Sequence, residues 1–232
     1  MSSTSFQTVF FSDLHITLNI IDEAISKFKN QLEHIQTQYI IINGDFIDES
    51  VEHYTKEKHK KFLKKLTSLL KLLSSKTQNL IWIYGNHDEF FIKNNRVTIS
   101  KNIQIKFRDY FNIHFNSNNY VFIHGHELDS RYIFHQILKI LPFKTTLRKY
   151  AKSNFKETIS NSSPLLHKIK KIYNRYSTPN TIKKNTLIFG HFHEELEGKI
   201  EEIHYFQSIS WEPNSPLPLY IITSENGIKK LR

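Results

Sequence analysis

The sequence of 232 residues contains no cysteine. Disulfide bonds and thiolate metal ligands are therefore excluded, so any bound metal has to be held by imidazole, carboxylate and amide groups. That set of ligands suits manganese, iron, zinc or magnesium, and it does not suit a structural zinc site of the cysteine type. Long apolar runs are missing too, since no segment approaches the roughly 18 to 20 residues that a membrane-spanning helix requires.

Basic residues are absent from positions 1–7, and the apolar run that follows reaches Asp13 after a few residues. A secretory signal needs a basic region followed by a longer apolar stretch, so none is predicted. We expect a soluble, cytoplasmic protein and leave open a peripheral contact with the inner membrane. A chain of this length fits one domain, residues 1–232, with a substantial buried core.

Acidic residues are almost absent between residues 130 and 184, where 13 Lys and Arg residues face a single acid, Glu157. The whole chain has a formal charge of +10, so the basic character belongs to this one segment. Its apolar and basic stretches predict short helices that form a cap inserted within the domain. Three interpretations stay open: a substrate lid, a membrane contact and a solvated helical hairpin.

Apolar periodicity predicts an α/β fold in which strands alternate with helices. One amphipathic helix is predicted from Asp22 to Gln38, and a longer one from Glu52 to Ser75 has a lysine-rich face typical of a solvated surface. Residues 103–107 and 111–115 alternate like half-exposed strands of a second, less parallel sheet. The remaining predicted elements are a short helix ending near Tyr176 and strands near residues 203–208 and 219–223.

Polar side chains follow five of the predicted strands at the point where each strand ends. They are Asp13 and His15 after residues 9–12, Asp45 after 39–43, Asn86, His87 and Asp88 after 81–84, His124 and His126 after 120–123, and His191 and His193 after 186–189. In open α/β sheets, ligands collect beyond the carboxyl ends of the strands. We therefore expect one polar rim of the kind that holds metal.

Seven of these side chains offer nitrogen or oxygen ligands: Asp13, His15, Asp45, Asn86, His124, His191 and His193. Seven ligands are too many for one ion and suit two ions that share Asp45, because a carboxylate has two oxygens with free lone pairs. Paired ions roughly 3.5–4 Å apart generate a bound hydroxide and stabilise the attacking and leaving oxygens of phosphoryl transfer. The expected reaction is hydrolysis at phosphorus.

Five blocks of sequence resemble the signature of the calcineurin-like metallophosphoesterases. These blocks are Asp13-x-His15, Gly44-Asp45, Gly85-Asn-His-Asp88, His124 and Gly190-His-x-His193, and they occur in the family's order. The resemblance implies a four-layer sandwich, in which two mixed β-sheets are flanked by helices, with a dinuclear centre of two divalent metals, manganese first among them. Iron, zinc and magnesium are the other options.

The resemblance also implies roles for individual residues. Asp13, His15 and His193 would hold one metal with the bridging Asp45, while Asn86, His124 and His191 would hold the other. The catalytic residues would be His87, beside the scissile phosphate, and Asp88, which would fix the His87 ring.

A narrower resemblance, in length and in the basic, apolar insert, is to the UDP-2,3-diacylglucosamine pyrophosphohydrolases of lipid A biosynthesis, which release UMP. It implies a nucleotide-linked lipid as substrate and an insert that takes up acyl chains. Six residues of the insert would suit lipid tails and a diphosphate: Arg131, Phe134, Leu138, Arg148, Lys149 and Lys152. Two positions depart from that family, which has Arg at the place of His87 and an acid at the place of His126.

Two other functions are weighed beside this one. A phosphoesterase for nucleotides or nucleic acid is an alternative, because a lobe as basic as residues 130–184 also attracts polyphosphate. A non-catalytic binding scaffold is the alternative of another class. Scaffolds of this family tend to lose metal ligands, and here all seven are present.

Overall fold

The computed structural model describes residues 4–101, 103–115, 118–128, 163–176, 184–223 and 227–231. Its first sheet has six strands in the order β11-β10-β1-β2-β3-β4. They are β1 (Thr4–Phe11), β2 (Ile35–Asn43), β3 (Thr77–Ile83), β4 (Ile105–Arg108), β10 (Tyr220–Ile222) and β11 (Ile228–Lys230). Strands β1 to β4 are parallel, whereas β10 and β11 add antiparallel pairings at one edge.

The second sheet has five strands in the order β5-β6-β7-β9-β8. They are β5 (Tyr110–Phe115), β6 (Asn118–Ile123), β7 (Lys184–Phe189), β8 (Leu196–Ile200) and β9 (Ile203–Gln207). The central strands β6, β7 and β9 are parallel, and the two outer strands pair antiparallel to them. Both sheets are therefore mixed, as predicted.

Aromatic and branched side chains from the inner faces of both sheets pack together between them. Phe10 of β1 is fully buried there, with ring centroids 5.4 Å from Phe122, 5.9 Å from Phe206 and 5.3 Å from Tyr220. Side chains of a strand alternate between its two faces, so the neighbours of Phe10 point to the other side of the sheet. This inner layer joins the two sheets into one sandwich.

Three helices cover the outer face of the first sheet: α1 (Ile21–Gln31), α2 (Lys56–Ser75) and α3 (Glu89–Ser100). Helix α2 begins after Thr55, whose hydroxyl accepts a hydrogen bond from Lys58 N, and a 3₁₀ turn (Glu49–His53) precedes it. Its apolar stripe is fully buried and consists of Phe62, Leu66, Leu69, Leu70 and Leu73. Helical spacing places these side chains on one face, which explains why the helix lies flat on the sheet.

Helix α4 (Ser163–Tyr176) covers the outer face of the second sheet through Ile169, Ile172 and Tyr173. It corresponds to the short helix predicted to end near Tyr176. Helix–sheet–sheet–helix layering is the predicted architecture of two mixed sheets flanked by helices. None of the helices among the described residues combines the length and apolarity needed to cross a bilayer.

The predicted helix from Asp22 to Gln38 is wrong in its second half. Helix α1 ends at Gln31, and Ile35 already opens β2, where it pairs with Thr4. Burial alternates from Ile35 to Gln38, as expected of a strand. Leu32 and Ile35 are spaced as on a helix face, but the parallel pairing with β1 decides their conformation. The longer helix also begins later than predicted, at Lys56 instead of Glu52.

The region from Glu89 to Asn119 also differs from the prediction. Its first part is helix α3, which was not predicted, and β4 pairs parallel with β3 in the first sheet. Of the two strands predicted here for the second sheet, only β5 belongs to it. The predicted strands near residues 203–208 and 219–223 are confirmed as β9 and β10, while β8 and β11 were not predicted.

Replacing Phe10 with Ala is expected to reduce the free energy of unfolding by about 3–5 kcal/mol, because it opens a cavity where the two sheets meet. Urea denaturation followed by circular dichroism measures the change. Phe90→Ala is the matched control: this side chain is 62% exposed, so its loss should change stability by about 0.5 kcal/mol or less. Equal losses in the two variants would contradict the burial described here.

Candidate metal centre

Five loops that follow β1, β2, β3, β6 and β7 converge at one rim of the sandwich. Backbone hydrogen bonds fasten them to each other: Asp13 N donates to Gly44 O (3.1 Å), His15 N donates to Asp45 O (3.0 Å), and Gly190 N donates to His124 O (2.8 Å). Each loop leaves the carboxyl end of a parallel strand, so the strand order brings together the loops within each sheet. The packing of the two sheets then brings both sets of loops to one rim.

The structure brings all seven predicted ligands to this rim, in two groups. Asp13, His15 and His193 form one group, and Asp45, His124 and His191 form the other, with candidate ligand atoms within 4.8 Å of one another in each. The nitrogens His15 Nε2 and His193 Nε2 lie 3.2 Å apart. The seventh residue, Asn86, places its Oδ1 3.2 Å from His124 Nε2, beside the second group.

Asp45, a member of the second group, also contacts the turn that follows β3. Its Oδ2 is 3.1 Å from His124 Nε2 and 3.9 Å from His87 Nε2, and its Oδ1 accepts a hydrogen bond from His87 N (2.8 Å). The carboxylate is 1% exposed. One buried carboxylate therefore faces ligands that arrive from both sheets.

A further group was missed in the sequence. Asp48 joins His15 and His87 within the same 4.8 Å limit, and its Oδ2 lies 3.7 Å from His15 Nδ1. Asp48 follows Asp45 by three residues, in Gly44-Asp-Phe-Ile-Asp48. That second acid in the same block was the available signal, because the turn after β2 carries both carboxylates to the rim.

Backbone strain is concentrated at this rim. Seven described residues other than glycine have positive φ, and five of them are predicted ligands: Asp13 (54°), His15 (45°), Asp45 (49°), His191 (74°) and His193 (63°). Left-handed backbone is costly for residues with a Cβ, and it persists where the surrounding structure enforces it, typically at functional sites. The fold thus holds these side chains in fixed positions.

Two glycines allow the loops to approach one another. A Cβ on Gly85 would overlap the backbone nitrogen and Oδ1 of Asp45, and a Cβ on Gly190 would overlap Asp13 Oδ2 and Ser12 Oγ. Ser12 is itself held by Ser208, whose hydroxyl oxygen lies 2.5 Å away. Neither carboxylate could occupy its position beside a larger residue.

Charge is balanced inside the rim by one buried pair. Burial alone would lower the pKa of His124, but the carboxylate of Asp45 and, more weakly, Asp13 outweigh burial and raise it to about 10. Burial likewise opposes the charge of Asp45, yet His124 holds the pKa of that carboxyl well below its usual range. For His126, burial together with the charges of His124 and His191 lowers the pKa to about 4.

Asp88 has other partners than the predicted one. Its carboxylate accepts hydrogen bonds from Gly85 N (2.8 Å), Phe46 N (2.8 Å) and Trp82 Nε1 (3.0 Å). These contacts fix the backbone turn that carries Asn86 and His87, whereas the prediction had Asp88 fixing the His87 ring. Burial and the nearby charge of Asp45 raise the pKa of Asp88 to about 7.

These residues fit a pair of divalent ions. The donors are two buried or nearly buried carboxylates, four imidazoles and one amide oxygen, a set that manganese, iron and zinc share as preferred ligands. Two facing ring nitrogens 3.2 Å apart, as in His15 and His193, need a shared proton or a shared cation. A cation satisfies both rings at once.

Not every predicted site residue can be located. The six substrate-binding candidates of the insert lie outside the described residues: Arg131, Phe134, Leu138, Arg148, Lys149 and Lys152. The described part of the insert consists of helix α4 and Lys184, the first residue of β7, and a 3₁₀ turn (His126–Leu128) precedes the insert in the sequence.

Comparison with known proteins agrees with this geometry. The model of the calcineurin-like phosphoesterase family matches residues 6–213. Curated protein sequences give no significant match. Among solved structures, an archaeal phosphodiesterase is 15% identical (TM-score 0.44), with 96% of this chain and 97% of that chain covered.

Two further structures are similar at the same level. The phosphoesterase Yfce from E. coli is 15% identical over 95% of both chains, with a TM-score of 0.45. The phosphopantetheinyl hydrolase from Mycobacterium tuberculosis is 10% identical (TM-score 0.48), with 99% of this chain and 96% of that chain covered. At these scores the assignment of the chain rests on the family model.

Replacing Gly190 with Ala is expected to weaken divalent metal binding about 10–100-fold, because the added methyl group displaces the Asp13 carboxylate. Isothermal titration with Mn²⁺ measures the affinity. Gly227→Ala is the control, since a Cβ there meets nothing closer than Thr223 Oγ1 at 3.9 Å. If Gly190→Ala binds the ion like the control, the close packing against Asp13 does not matter for the site.

Proposed function

Because this chain belongs to the calcineurin-like phosphoesterase family and is a metal-dependent phosphoesterase, we propose that it hydrolyses the diphosphate bond of a nucleotide-linked lipid. The substrate class is that of UDP-2,3-diacylglucosamine, with UMP as one product. The observation that carries the proposal is the meeting of seven candidate ligand side chains, the buried Asp45 among them, at the edge from which the basic, apolar insert departs.

In this proposal Asp13, His15 and His193 hold one ion, Asn86, His124 and His191 hold the other, and Asp45 bridges them. The grouping of Asp13 with His15 and His193, and of His124 and His191 with Asp45, supports this division. Bound divalent ions, manganese in our proposal, supply activation of water and neutralisation of the charge that develops on the phosphoryl oxygens. The protein supplies the fixed positions of the ligands.

His87 is the proposed acid. Its side chain is 28% exposed, so it faces the solvent side of the rim, while its backbone N–H is tied to Asp45 Oδ1. From there the ring can donate a proton to the oxygen that leaves phosphorus. Asp88 acts as a positioning residue for the same turn, because its carboxylate binds the backbone of Gly85 and Phe46.

The connection of the insert supports a lipid-linked substrate. Residues 130–184 join β6 to β7, and both strands end at the rim, in His124 and in Gly190-His191. The insert therefore starts where the reacting phosphate would lie. Its apolar residues, Phe134 and Leu138 among them, would receive acyl chains, and Arg131, Arg148, Lys149 and Lys152 would face the diphosphate.

This substrate implies a place in the cell. A lipid-linked substrate of lipid A biosynthesis resides in the inner membrane, so we propose a cytoplasmic protein in peripheral contact with that membrane. Residues 130–184 contain 13 Lys and Arg and a single acid, so they would contribute to the contact by attraction to anionic lipid.

Release of UMP from UDP-2,3-diacylglucosamine in the presence of Mn²⁺ is the first test, run beside bis-p-nitrophenyl phosphate. We expect the wild type to turn over both substrates. In Asp45→Ala we expect turnover to fall by about 10³-fold or more, because the carboxylate proposed to bridge the two ions is removed. Turnover of the generic diester alone would retain the metal chemistry and reject the lipid. Cleavage of nucleotides or single-stranded nucleic acid in place of the lipid would support the alternative phosphoesterase.

His87→Ala is expected to slow cleavage of a substrate with a poor leaving group about 10²–10⁴-fold, and to affect a p-nitrophenyl ester far less. A leaving group of low pKa needs no proton, so the ratio of the two effects reports acid catalysis. Turnover numbers for both esters give the ratio, with His34→Ala, whose side chain is 65% exposed, as control. Equal losses on both esters would assign His87 a purely structural role.

A further inference from the structure

Helix α2 carries an uneven charge. It contains seven lysines and a single acid, Glu57. Lys56, Lys60 and Lys64 are exposed and follow one another at intervals of four residues, so they form a row along one side of the helix. Like charges at this spacing repel each other, which destabilises the helix slightly.

The lysine row borders a groove between α2 and α3. The groove has a volume of about 470 Å³, and its walls include Tyr54, Leu63 and Thr67 as well as Thr98 of α3. The packing of Phe62 against Phe91, at 5.8 Å between ring centroids, holds the two helices side by side beneath it. The groove therefore has an apolar floor and a basic edge.

Helix α3 adds exposed apolar side chains on the same side of the molecule. Phe90 is 62% exposed and Val97 is 85% exposed, and with Tyr110 they are the large hydrophobic residues most open to solvent among those the structure describes. Val97 follows Phe90 at the seventh position, so the two side chains lie two turns apart on one face of the helix. Val97 is also the neighbour of Thr98, which lines the groove.

We propose that this α2–α3 face, formed by Lys56, Lys60, Lys64, Phe90 and Val97, docks on the surface of an anionic phospholipid bilayer. Lysines alone are explained by solvation, and single exposed apolar residues are common. A basic row beside two exposed apolar side chains matches a bilayer interface, where anionic headgroups meet the ammonium groups and Phe90 and Val97 enter the acyl boundary.

The position of the α2–α3 face gives docking a consequence. Helix α3 begins at Glu89, directly after the turn that carries Asn86, His87 and Asp88. Phe90 is thus three residues from His87, and a docked α3 brings the rim close to the headgroups. This inference goes beyond the proposed reaction and does not depend on the identity of the substrate.

Co-sedimentation of the full chain with vesicles tests the charge component. We expect binding to phosphatidylcholine vesicles that contain phosphatidylglycerol, and little binding to phosphatidylcholine alone. Changing Lys56, Lys60 and Lys64 together to Gln should weaken the partition about fivefold for each lysine removed, or roughly a hundredfold in total. Added salt should weaken binding of the wild type more than that of the variant.

The matched control changes three exposed lysines of β8 and β11 to Gln: Lys199, Lys229 and Lys230. It removes the same charge from another part of the surface. If the control triple loses as much vesicle binding as the α2 triple, the attraction is one of net charge, and the α2–α3 face is not the docking surface. Unchanged binding in the α2 triple would assign the contact to another part of the chain.

Fluorescence tests the apolar component separately. Phe90→Trp and Val97→Trp place a reporter on the α2–α3 face, whereas the native Trp82 and Trp211 are 0% and 5% exposed and give little background. We expect both reporters to be quenched by vesicles of brominated anionic lipid. Absence of quenching overturns the insertion of α3, even where the lysines prove to matter.

Two readouts separate this inference from the proposed function. Turnover of bis-p-nitrophenyl phosphate should be unchanged in the α2 triple, because none of its residues touches the rim. Loss of vesicle binding without loss of diester turnover supports the docking face whatever the lipid substrate proves to be. A third outcome is that short DNA binds the wild type and not the α2 triple, while neither protein binds vesicles. That result would reject the bilayer and identify nucleic acid as the partner of the α2–α3 face.

Discussion

The carboxylate of Asp45 is the constraint on which the rim depends. It is almost fully buried, and it receives the backbone N–H of His87 from the first sheet and the ring of His124 from the second. A buried charge is costly unless it is paired and hydrogen-bonded. Both loops must therefore be in place for the carboxylate to be tolerated, which makes the rim a cooperative unit.

The rest of the rim is arranged to permit this convergence. Five predicted ligands have left-handed backbone, and Gly85 and Gly190 have no Cβ. Both features allow the loops to approach one another more closely than larger residues in ordinary backbone conformations would permit. This geometry costs stability, and the hydrogen-bonded sheets and the aromatic layer around Phe10 compensate for it. The strained rim therefore holds the candidate ligands, while the sheets and the aromatic layer between them provide the stability.

The sequence was sufficient for the layered architecture and for the meeting of the seven candidate ligands at one rim, because each of them follows an apolar run of strand length and the runs have a distinctive order. It was insufficient where two periodicities overlap. Leu32 and Ile35 satisfy a helix and a strand equally, and only pairing with β1 distinguishes them. Helix α3 was also missed. Asp88 stands at its N-cap position, but its carboxylate binds Gly85 N, Phe46 N and Trp82 Nε1 instead of capping the helix.

The two sheets contribute unequally to the candidate ligand set, with Asp13, His15, Asp45 and Asn86 from the first and His124, His191 and His193 from the second. An ion held by residues of both sheets ties together positions far apart in the chain, much as a disulfide would in a protein that had cysteine. Because the complete set of ligands comes together only in the folded chain, a bound ion stabilises the folded state by mass action. The supply of metal then governs how long each molecule survives proteolysis, as well as whether it is active.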